Sequence, residues 1–399
     1  LPLFMEINIE LLLNLPHIQI SDFALSDKEA HIHCESVKRF GTCPCCQKET
    51  SIVQMYQERT VRDMALLGRK VFLHLKSRQF YCQDCRRYFN ESFEFVDKSS
   101  TMTVRYEQYL YFMLNHLCVS DVSVKEAISW ASVQRIYRKY ADYEIATRDV
   151  WQKVRFLGID EIAVKKGHKN YACVLVDLET GLVLDFLENR KKETIAAYFK
   201  EKGSIICNQI EVVSSDMWDG YSTLAGDLFP RAISVIDRYH FFIHLNKAVD
   251  ASRKALRKAF PEQEEFKNIR WILLKSPENS SKEEQEKLKK VFELAPQLKC
   301  IYELRKSLKH IFDLDISKEE AALKIEAWEK EAEKLATKPI ESFIKTLNNW
   351  KDKVLNFFHE RITNATVEGI NNAIRGIIRR SFGFHDFDNL KRRVLTELG

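Results

Sequence analysis

Two pairs of cysteines restrict what the first hundred residues can fold into. Cys43 and Cys46 form the first pair and Cys82 and Cys85 the second, with two residues inside each pair. Two such turns bring four thiolates to the corners of one tetrahedron, so the spacing predicts a structural zinc site with four cysteine ligands. Cys45 is the alternative ligand in place of Cys46. The competing interpretation of the cysteine pairs is a redox function. A site closed by four thiolates leaves no coordination position open for catalysis.

The segment between the two cysteine pairs is predicted to form β-strands. Residues alternate between apolar and polar over Val71–Ser77, and Ser51–Tyr56 is a second candidate strand. A small β-rich domain of this kind relies on its metal because its core is too small to fold alone. Ten basic and four acidic residues lie between Arg39 and Arg87. That local excess suits a phosphate backbone, and a solvated surface is the alternative.

Composition sets limits on the class of protein. The 399 residues are 45% hydrophobic and 30% charged, which is typical of soluble globular chains of two to four domains. Only 12 Gly and 8 Pro are present, so a helix-rich chain is expected. No apolar run reaches the length of a membrane span, and the first residues lack a basic region and a cleavage site. We therefore expect a cytoplasmic protein with no membrane partner.

A helical segment with a basic face follows the cysteine-rich region. Periodicity predicts helices over Tyr106–Cys118, Val124–Trp130 and Ser132–Tyr140. The last of these carries Arg135, Arg138 and Lys139 on its polar side. The arrangement resembles a helix-turn-helix whose second helix enters the major groove of DNA. A plain helical hairpin is the alternative, because the turn lacks glycine and the first helix is short.

From Val154 onward the pattern changes to strands separated by helices. The predicted strands are Phe156–Ala163, Tyr171–Asp177, Leu182–Leu187, Ile210–Ser215 and Ala232–Ile236, and the predicted helices are Thr194–Lys202 and Gly220–Phe229. This βββαβαβ order is the ribonuclease H-like layout, an α/β fold with a mixed sheet.

Two carboxylates lie at neighbouring positions of that predicted sheet. Asp160 interrupts an apolar strand, where a lone carboxylate costs several kcal/mol unless it is paired or bound to metal. Asp216 directly follows the fourth strand, and adjacent strands are only ~4.8 Å apart. We therefore expect the two side chains to meet at a metal site, although Asp216 could instead cap the next turn. Glu161 points to the opposite face and is expected to meet solvent or a basic partner.

A third carboxylate is expected from a helix near the C-terminus. Thr363–Arg380 has an apolar face and a polar stripe. The stripe comprises Asn364, Glu368, Asn371, Asn372 and Arg375. Arg375, Arg379 and Arg380 are predicted to contact DNA phosphates. Three carboxylates in one site suit two Mg²⁺ or Mn²⁺ ions, which prefer oxygen ligands.

Over nearly its whole length the chain resembles DDE transposases of the bacterial insertion-sequence group called ISL-three. The resemblance rests on the two cysteine pairs and on the segments 158–161, 165–168, 215–218, 237–240, 367–372 and 379–384. It implies that Asp160, Asp216 and Glu368 form the acidic triad that holds the two ions. It also implies an accessory active-site role for Asp237 and His240. A core histidine at the start of a helix is the other interpretation of His240.

The resemblance implies a function in transposition, a form of DNA recombination. The protein would cleave DNA at the terminal inverted repeats of its insertion sequence and transfer the freed 3′-hydroxyl to target DNA. Its partners would be double-stranded DNA and further copies of itself, as a homodimer or larger synaptic assembly, and it would lie on the bacterial nucleoid when bound. The rivals are a catalytically silent DNA-binding regulator and a structure-specific ribonuclease H-like nuclease.

These segments predict five parts of the chain. Residues 1–98 would hold the zinc-ribbon-like domain, 99–150 the helix-turn-helix-like segment and 151–260 the first part of the catalytic core. Residues 261–345 are rich in both charges and helical periodicity, and they are predicted to be a helical insertion for DNA contact or dimerisation. Residues 346–399 would complete the core.

Overall fold

The computed structural model describes residues 9–164, 171–217, 219–258, 262–275, 277–362, 365–381, 384 and 386–399. Several residues of the sequence motifs lie outside these ranges, namely 165–168, Trp218, Asn364, Phe382 and Gly383. The chain divides into two compact units, Leu1–Glu144 and Ile145–Gly399. No helix in the described ranges is both long enough and apolar enough to cross a membrane.

A five-stranded sheet forms the body of the first unit. Its elements are α1 (Ile9–Leu13), β1 (Ile18–Leu25), β2 (Glu29–Ser36), β3 (Gly41–Thr42), β4 (Glu49–Thr50), β5 (Val53–Leu66), β6 (Arg69–Cys82) and β7 (Arg87–Asn90). Strand β6 pairs with β2 in parallel and with β5 and β7 antiparallel, while β3 and β4 form a separate small ribbon. Val71, Leu73 and Leu75 of β6 are fully buried, so the predicted alternation is confirmed there.

Three helices follow this sheet. They are α2 (Val104–Leu114), α3 (Val119–Glu126) and α4 (Trp130–Thr147). The predicted helix Val124–Trp130 is wrong, because α3 ends at Glu126 and Trp130 already begins α4. The chain turns at Ala127, whose φ of 53° lies in the left-handed region that usually selects glycine. Since the turn has no glycine, the sequence did not reveal where the first helix stops.

A second five-stranded sheet is the centre of the other unit. Its strands are β8 (Phe156–Ala163), β9 (Tyr171–Asp177), β10 (Val183–Leu187), β11 (Val212–Ser215) and β12 (Ile233–Ile236), in the order β10-β9-β8-β11-β12. Strands β8, β9 and β10 pair antiparallel, and β8, β11 and β12 pair in parallel. Helices α5 (Lys192–Lys202), α6 (Ser204–Gln209) and α7 (Asp219–Leu228) lie between them in the chain. The predicted mixed α/β sheet is confirmed, with strand limits within two residues.

Helices make up the rest of the second unit. They are α8 (Arg238–Arg257), α9 (Ile269–Leu274), α10 (Lys282–Leu294), α11 (Pro296–Asp313), α12 (Lys318–Glu333), α13 (Lys338–Leu355), α14 (Phe357–Glu360), α15 (Ala365–Arg380) and α16 (Phe387–Leu398). Short 3-10 turns occupy Glu264–Phe266 and Pro277–Asn279. Leu245, Leu308, Ile325 and Leu347 join α8, α11, α12 and α13 in one apolar cluster that reaches Val235 of β12. The segment predicted as a helical insertion is therefore helical.

Candidate active site

Asp160 and Asp216 stand at matching positions on two neighbouring parallel strands. Ile159 of β8 is the register partner of Ser215 of β11, and the two acids are the next residues on each side. Asp160 is 8% exposed. Burial, and secondarily the charge of Asp216, raises the pKa of Asp160 to about 7. The buried Asp160 that was expected in the first strand therefore lies close enough to Asp216 for the charge of Asp216 to affect its pKa.

His240 lies between two carboxylates at the start of α8. Its Nδ1 is 2.6 Å from Asp216 Oδ1 and 3.0 Å from Asp237 Oδ2. Asp237 also caps the helix, because its Oδ2 accepts a hydrogen bond from the backbone N–H of His240. Burial alone would lower the pKa of His240, but the two carboxylates outweigh it and raise the pKa to about 10. The imidazole Nδ1 thus hydrogen-bonds Asp237 and lies within ion-pair distance of Asp216, whose Oδ1 has no hydrogen-bond partner among the described residues.

Helix α15 supplies a third group to the same region. Asn371 is buried, and its Nδ2 donates a hydrogen bond of 2.7 Å to Asp160 Oδ2. The other oxygen of Asp160 accepts from the backbone N–H of Glu161 at 2.8 Å. Within the described ranges, Oδ1 of Asn371 is buried without a hydrogen-bond partner. An acceptor left unsatisfied beside a buried carboxylate is a place where a hard cation or its water fits.

The helix reaches this position because of a glycine in β8. A Cβ on Gly158 would come within 2.7 Å of Leu178 Cδ2 and 2.8 Å of Val367 Cγ2. Val367 and Ile370 of α15 pack in one apolar cluster with core residues of β8 and β9. The absence of a side chain at residue 158 thus lets α15 lie against the strand that carries Asp160.

Glu368 is more exposed than the other two predicted triad members. It is exposed on α15, one turn before Asn371, and it lines a cavity of about 350 Å³. Acidic and basic groups share the cavity wall, which includes Asp237, Arg238, Arg305 and Lys309. Among the described residues, Asp216, Asp237 and His240 form a group with metal-ligand spacing, and this group includes neither Asp160 nor Glu368.

The remaining basic residues of the predicted site differ in their surroundings. Arg375 and Arg379 are exposed on α15, and Arg375 donates a hydrogen bond of 2.8 Å to Asn372. Arg380 pairs with Glu397 of α16. Glu161, which was expected to face solvent or a basic partner, pairs with Arg190.

The four predicted zinc ligands come together in the first unit. One ligand atom from each of Cys43, Cys46, Cys82 and Cys85 lies within 4.8 Å of all the others, whereas Cys45 is exposed and outside the group. Gln47 and Arg86, each directly after a cysteine pair, have φ of 60° and 50°. Backbone N–H groups of Cys46 and Cys45 lower the pKa of Cys43 to about 7. Thiolates in this spacing suit one tetrahedral zinc ion.

The predicted DNA-reading residues of α4 are not equivalent. Arg135 and Arg138 are exposed. Lys139 instead forms ion pairs with Asp97 and with Glu107, whose side chain is 1% exposed. Lys139 therefore stabilises the fold, because it neutralises the buried carboxylate of Glu107.

The contact made by one residue of this site was not predicted from the sequence. Asn371 was predicted only as part of a polar stripe, yet it reaches the buried face of α15 and contacts Asp160. The available signal was an amide directly after the core residue Ile370 and one turn before Ile374.

Comparison with known proteins gives matches in both units. A family model described as a transposase, of the DDE type in the ISL-three group, matches residues 157–394. A second, described as the zinc finger of transposases of IS204, IS1001, IS1096 and IS1165, matches residues 39–85. The transposase for insertion sequence element IS1001 of Bordetella parapertussis is 26% identical over 363 residues, which cover 89% of this chain and 88% of the relative. The transposase for element IS1557 of Mycobacterium tuberculosis is 25% identical over 283 residues, 64% and 63% of the two chains.

Proposed function

Because the chain belongs to the ISL-three family of DDE transposases, we propose that it cuts DNA at the terminal inverted repeats of its own element and joins the freed 3′-hydroxyl to target DNA. The observation that carries this proposal is the position of Asp160. Its carboxylate is buried at the end of a strand pair, beside Asp216 and under the helix that bears Glu368. A buried acid kept in this setting supports a working metal site.

Asp160, Asp216 and Glu368 would hold two Mg²⁺ or Mn²⁺ ions. When bound, such ions activate the attacking oxygen and stabilise charge on the leaving oxygen of a phosphodiester. The donors present suit them, because carboxylates and the amide oxygen of Asn371 are hard ligands. Glu368 is on the wall of a cavity that also has basic residues, and a scissile phosphate there would meet both signs of charge.

Asp237 and His240 act through Asp216 in this proposal. The imidazole would donate its Nδ1–H to Asp237 and would attract the Asp216 carboxylate, which lies 2.6 Å from Nδ1, by its charge. Asp237 in turn fixes the imidazole, because it accepts both from the ring and from the backbone N–H of residue 240. Their task is to keep a ligand in place and to balance its charge.

The fold around the site supports a ribonuclease H-like core. Its five strands have the order β10-β9-β8-β11-β12, with the first three antiparallel and the last two parallel to β8. Helices α3 and α4, joined through Ala127, would form the helix-turn-helix, and Arg135 and Arg138 would face DNA. On α15, Arg375 and Arg379 would contact phosphates near the cut. The zinc site would hold its domain folded while the element end is bound.

A homodimer or larger assembly follows from the chemistry proposed. Two element ends must be brought together before both are joined to one target, so two active sites are needed. The helices of 261–345 would serve DNA contact or the contact between copies.

An excision assay tests the proposal. The gene's native flanking DNA is placed on a plasmid around a marker, and the protein is supplied from a second plasmid. Junctions are sequenced for the wild type, for Asp160→Asn and for the exposed-acid control Asp227→Asn. We expect excised and reinserted products with the wild type and the control only.

Two other outcomes would replace the proposal. Binding of the flanks by the wild type without any excision would favour the regulator. Cleavage of branched or hybrid substrates without joined ends would favour the structure-specific nuclease.

A further inference from the structure

One face of the sheet in the first unit carries three imidazoles at adjacent positions. His31 and His33 belong to β2, and His74 belongs to the parallel neighbour β6, where it is the register partner of His33. These side chains lie on the outer face, since Ile32 and Leu73 are in the core. The residues have no part in the four-cysteine zinc site or in the proposed catalytic site.

Three side chains of this face have the spacing of metal ligands. Glu58 comes from β5, on the other side of β6, and its Oε1 is 3.1 Å from His74 Nδ1 and 3.8 Å from His33 Nδ1. One ligand atom from each of the three residues lies within 4.8 Å of the other two. The rings of His33 and His74 are stacked, with centroids 4.5 Å apart. Three strands thus present two imidazole nitrogens and one carboxylate oxygen to one point.

A chain of polar contacts connects His74 to His31 and His31 to Glu29. Its Nε2 is 3.0 Å from His31 Nδ1, and His31 Nε2 is 3.4 Å from Glu29 Oε2. A histidine that binds metal through one nitrogen normally donates its other N–H to a fixed acceptor, which sets its tautomer. Here Nε2–H of His74 would donate to His31, and Nε2–H of His31 would donate to Glu29. That arrangement leaves Nδ1 of His74 bare on the side of Glu58.

We propose that His33, His74 and Glu58 form a second metal site, which takes a borderline divalent ion of the zinc class. Imidazole nitrogen with one carboxylate suits Zn²⁺, Co²⁺ or Ni²⁺ better than Mg²⁺. Three protein ligands leave a coordination position for water or for an oxygen of an incoming ligand. The ion can enter from solvent, because the side chains of Glu58 and His33 are 62% and 44% exposed. When bound, it would join β2, β6 and β5 across the sheet.

The competing account is a purely hydrogen-bonded face. Thr60 Oγ1 lies 3.2 Å from His74 Nδ1 and could satisfy that nitrogen without any ion. Stacked neutral imidazoles would then stabilise the sheet alone. The two accounts differ in the number of metal ions that the whole protein binds.

Metal stoichiometry of the full chain is the test. The protein is dialysed against buffered Zn²⁺ at a saturating concentration, and zinc per chain is measured by mass spectrometry for the wild type, His74→Gln, Glu58→Gln and the control His17→Asn. His17 is an exposed histidine outside the group, with a φ of 59° that asparagine tolerates. We expect each of the two ligand variants to bind about one zinc ion fewer than the wild type and the control.

Absorption of the Co²⁺-loaded protein provides a second measurement. In Co²⁺-loaded protein, the thiolate charge-transfer absorption of the four-cysteine site should be the same in all four proteins, which shows that the zinc domain is folded. His31→Ala should keep the site but weaken its metal affinity by about 10–100-fold, since it removes an outer partner. Equal zinc content in the wild type and in Glu58→Gln, whose exposed side chain leaves the core intact, would overturn the proposal.

Discussion

Asn371 of α15 donates a hydrogen bond of 2.7 Å to Asp160 of β8, although 211 residues separate them in the chain. The contact joins the helix that carries Glu368 to the strand that carries the buried acid. It also orients Asp160, whose second oxygen is held by the backbone N–H of Glu161. The long helical segment between β12 and α15 therefore returns the chain to a defined position on the sheet.

Replacing this amide should impair the site more than the fold. We expect Asn371→Ala to weaken binding of Mn²⁺ and strand cleavage by about 10–100-fold, the usual cost of losing a partner of a metal ligand. The free energy of unfolding should fall by about 1–3 kcal/mol, because Asp160 loses a buried donor. Calorimetric titration with Mn²⁺ and thermal unfolding measure the two effects. Asn348→Ala, at an exposed asparagine of α13, should change neither, and unchanged Mn²⁺ affinity in Asn371→Ala would contradict the assignment.

The close approach of α15 to β8 gives a second prediction. In Gly158→Ala the new Cβ would meet Leu178 and Val367 at under 3.0 Å, so these side chains, or the helix that carries Val367, must shift. We expect a loss of cleavage and a destabilisation of about 1–3 kcal/mol, which activity and urea unfolding would record. Gly226→Ala is the control. That glycine lies in α7 with nothing within 4 Å of an added Cβ, so the change should stabilise by about 0.5–1 kcal/mol. Equal behaviour of the two variants would contradict the packing argument.

Variants of the adjacent residues Cys45 and Cys46 distinguish a loss of metal binding from a general effect of replacing a cysteine. Cys46→Ser should remove zinc from the four-cysteine site and unfold its domain, because one of four ligands is lost. Cys45→Ser should retain zinc and fold, since Cys45 is exposed and outside the group. Zinc content and binding of element ends would be measured for both. Retention of the Co²⁺–thiolate absorption in Cys46→Ser at wild-type strength would mean that Cys45 or another group can replace Cys46.

The basic residues of α4 should divide into two classes. Arg135→Ala and Arg138→Ala should each weaken DNA binding and reduce the slope of its salt dependence by about 1, as expected for lost phosphate contacts. Lys139→Ala should mainly lower stability, because buried Glu107 loses its counter-charge. Fluorescence anisotropy at several salt concentrations, together with melting temperatures, distinguishes these effects. A normal melting temperature with a reduced salt slope in Lys139→Ala would contradict the structural role.

Local patterns were sufficient to predict most strands of the second sheet and the cluster of four cysteines. Continuous apolar runs such as Phe156–Ala163 and the alternation in Val71–Ser77 identify strands without knowledge of their neighbours. The cysteine pairs identify their site because two residues between paired cysteines place both thiolates at the distance that one metal ion requires. These features depend on residues that are close in sequence.

Features that depend on distant residues could not be predicted in the same way. Lys139, a predicted DNA contact, forms an ion pair with Glu107, and nothing in the helix pattern reveals that pair. The helix boundary at Ala127 was missed because the chain adopts a left-handed conformation there without a glycine to indicate it. Asn371 has the same character, since only the folded chain brings it to Asp160.

Strand transfer by the purified protein tests the central claim most directly. Duplexes that carry the element ends recovered from the excision assay are incubated with protein, target DNA and Mg²⁺, and the products are resolved on sequencing gels. The wild type should cut and join. Asp160→Asn, Asp216→Asn and Glu368→Gln should bind the ends with normal melting temperatures but lose at least about 100-fold in rate. If any of these three folded variants cut and joined at the wild-type rate, the assignment of the acidic triad would be wrong.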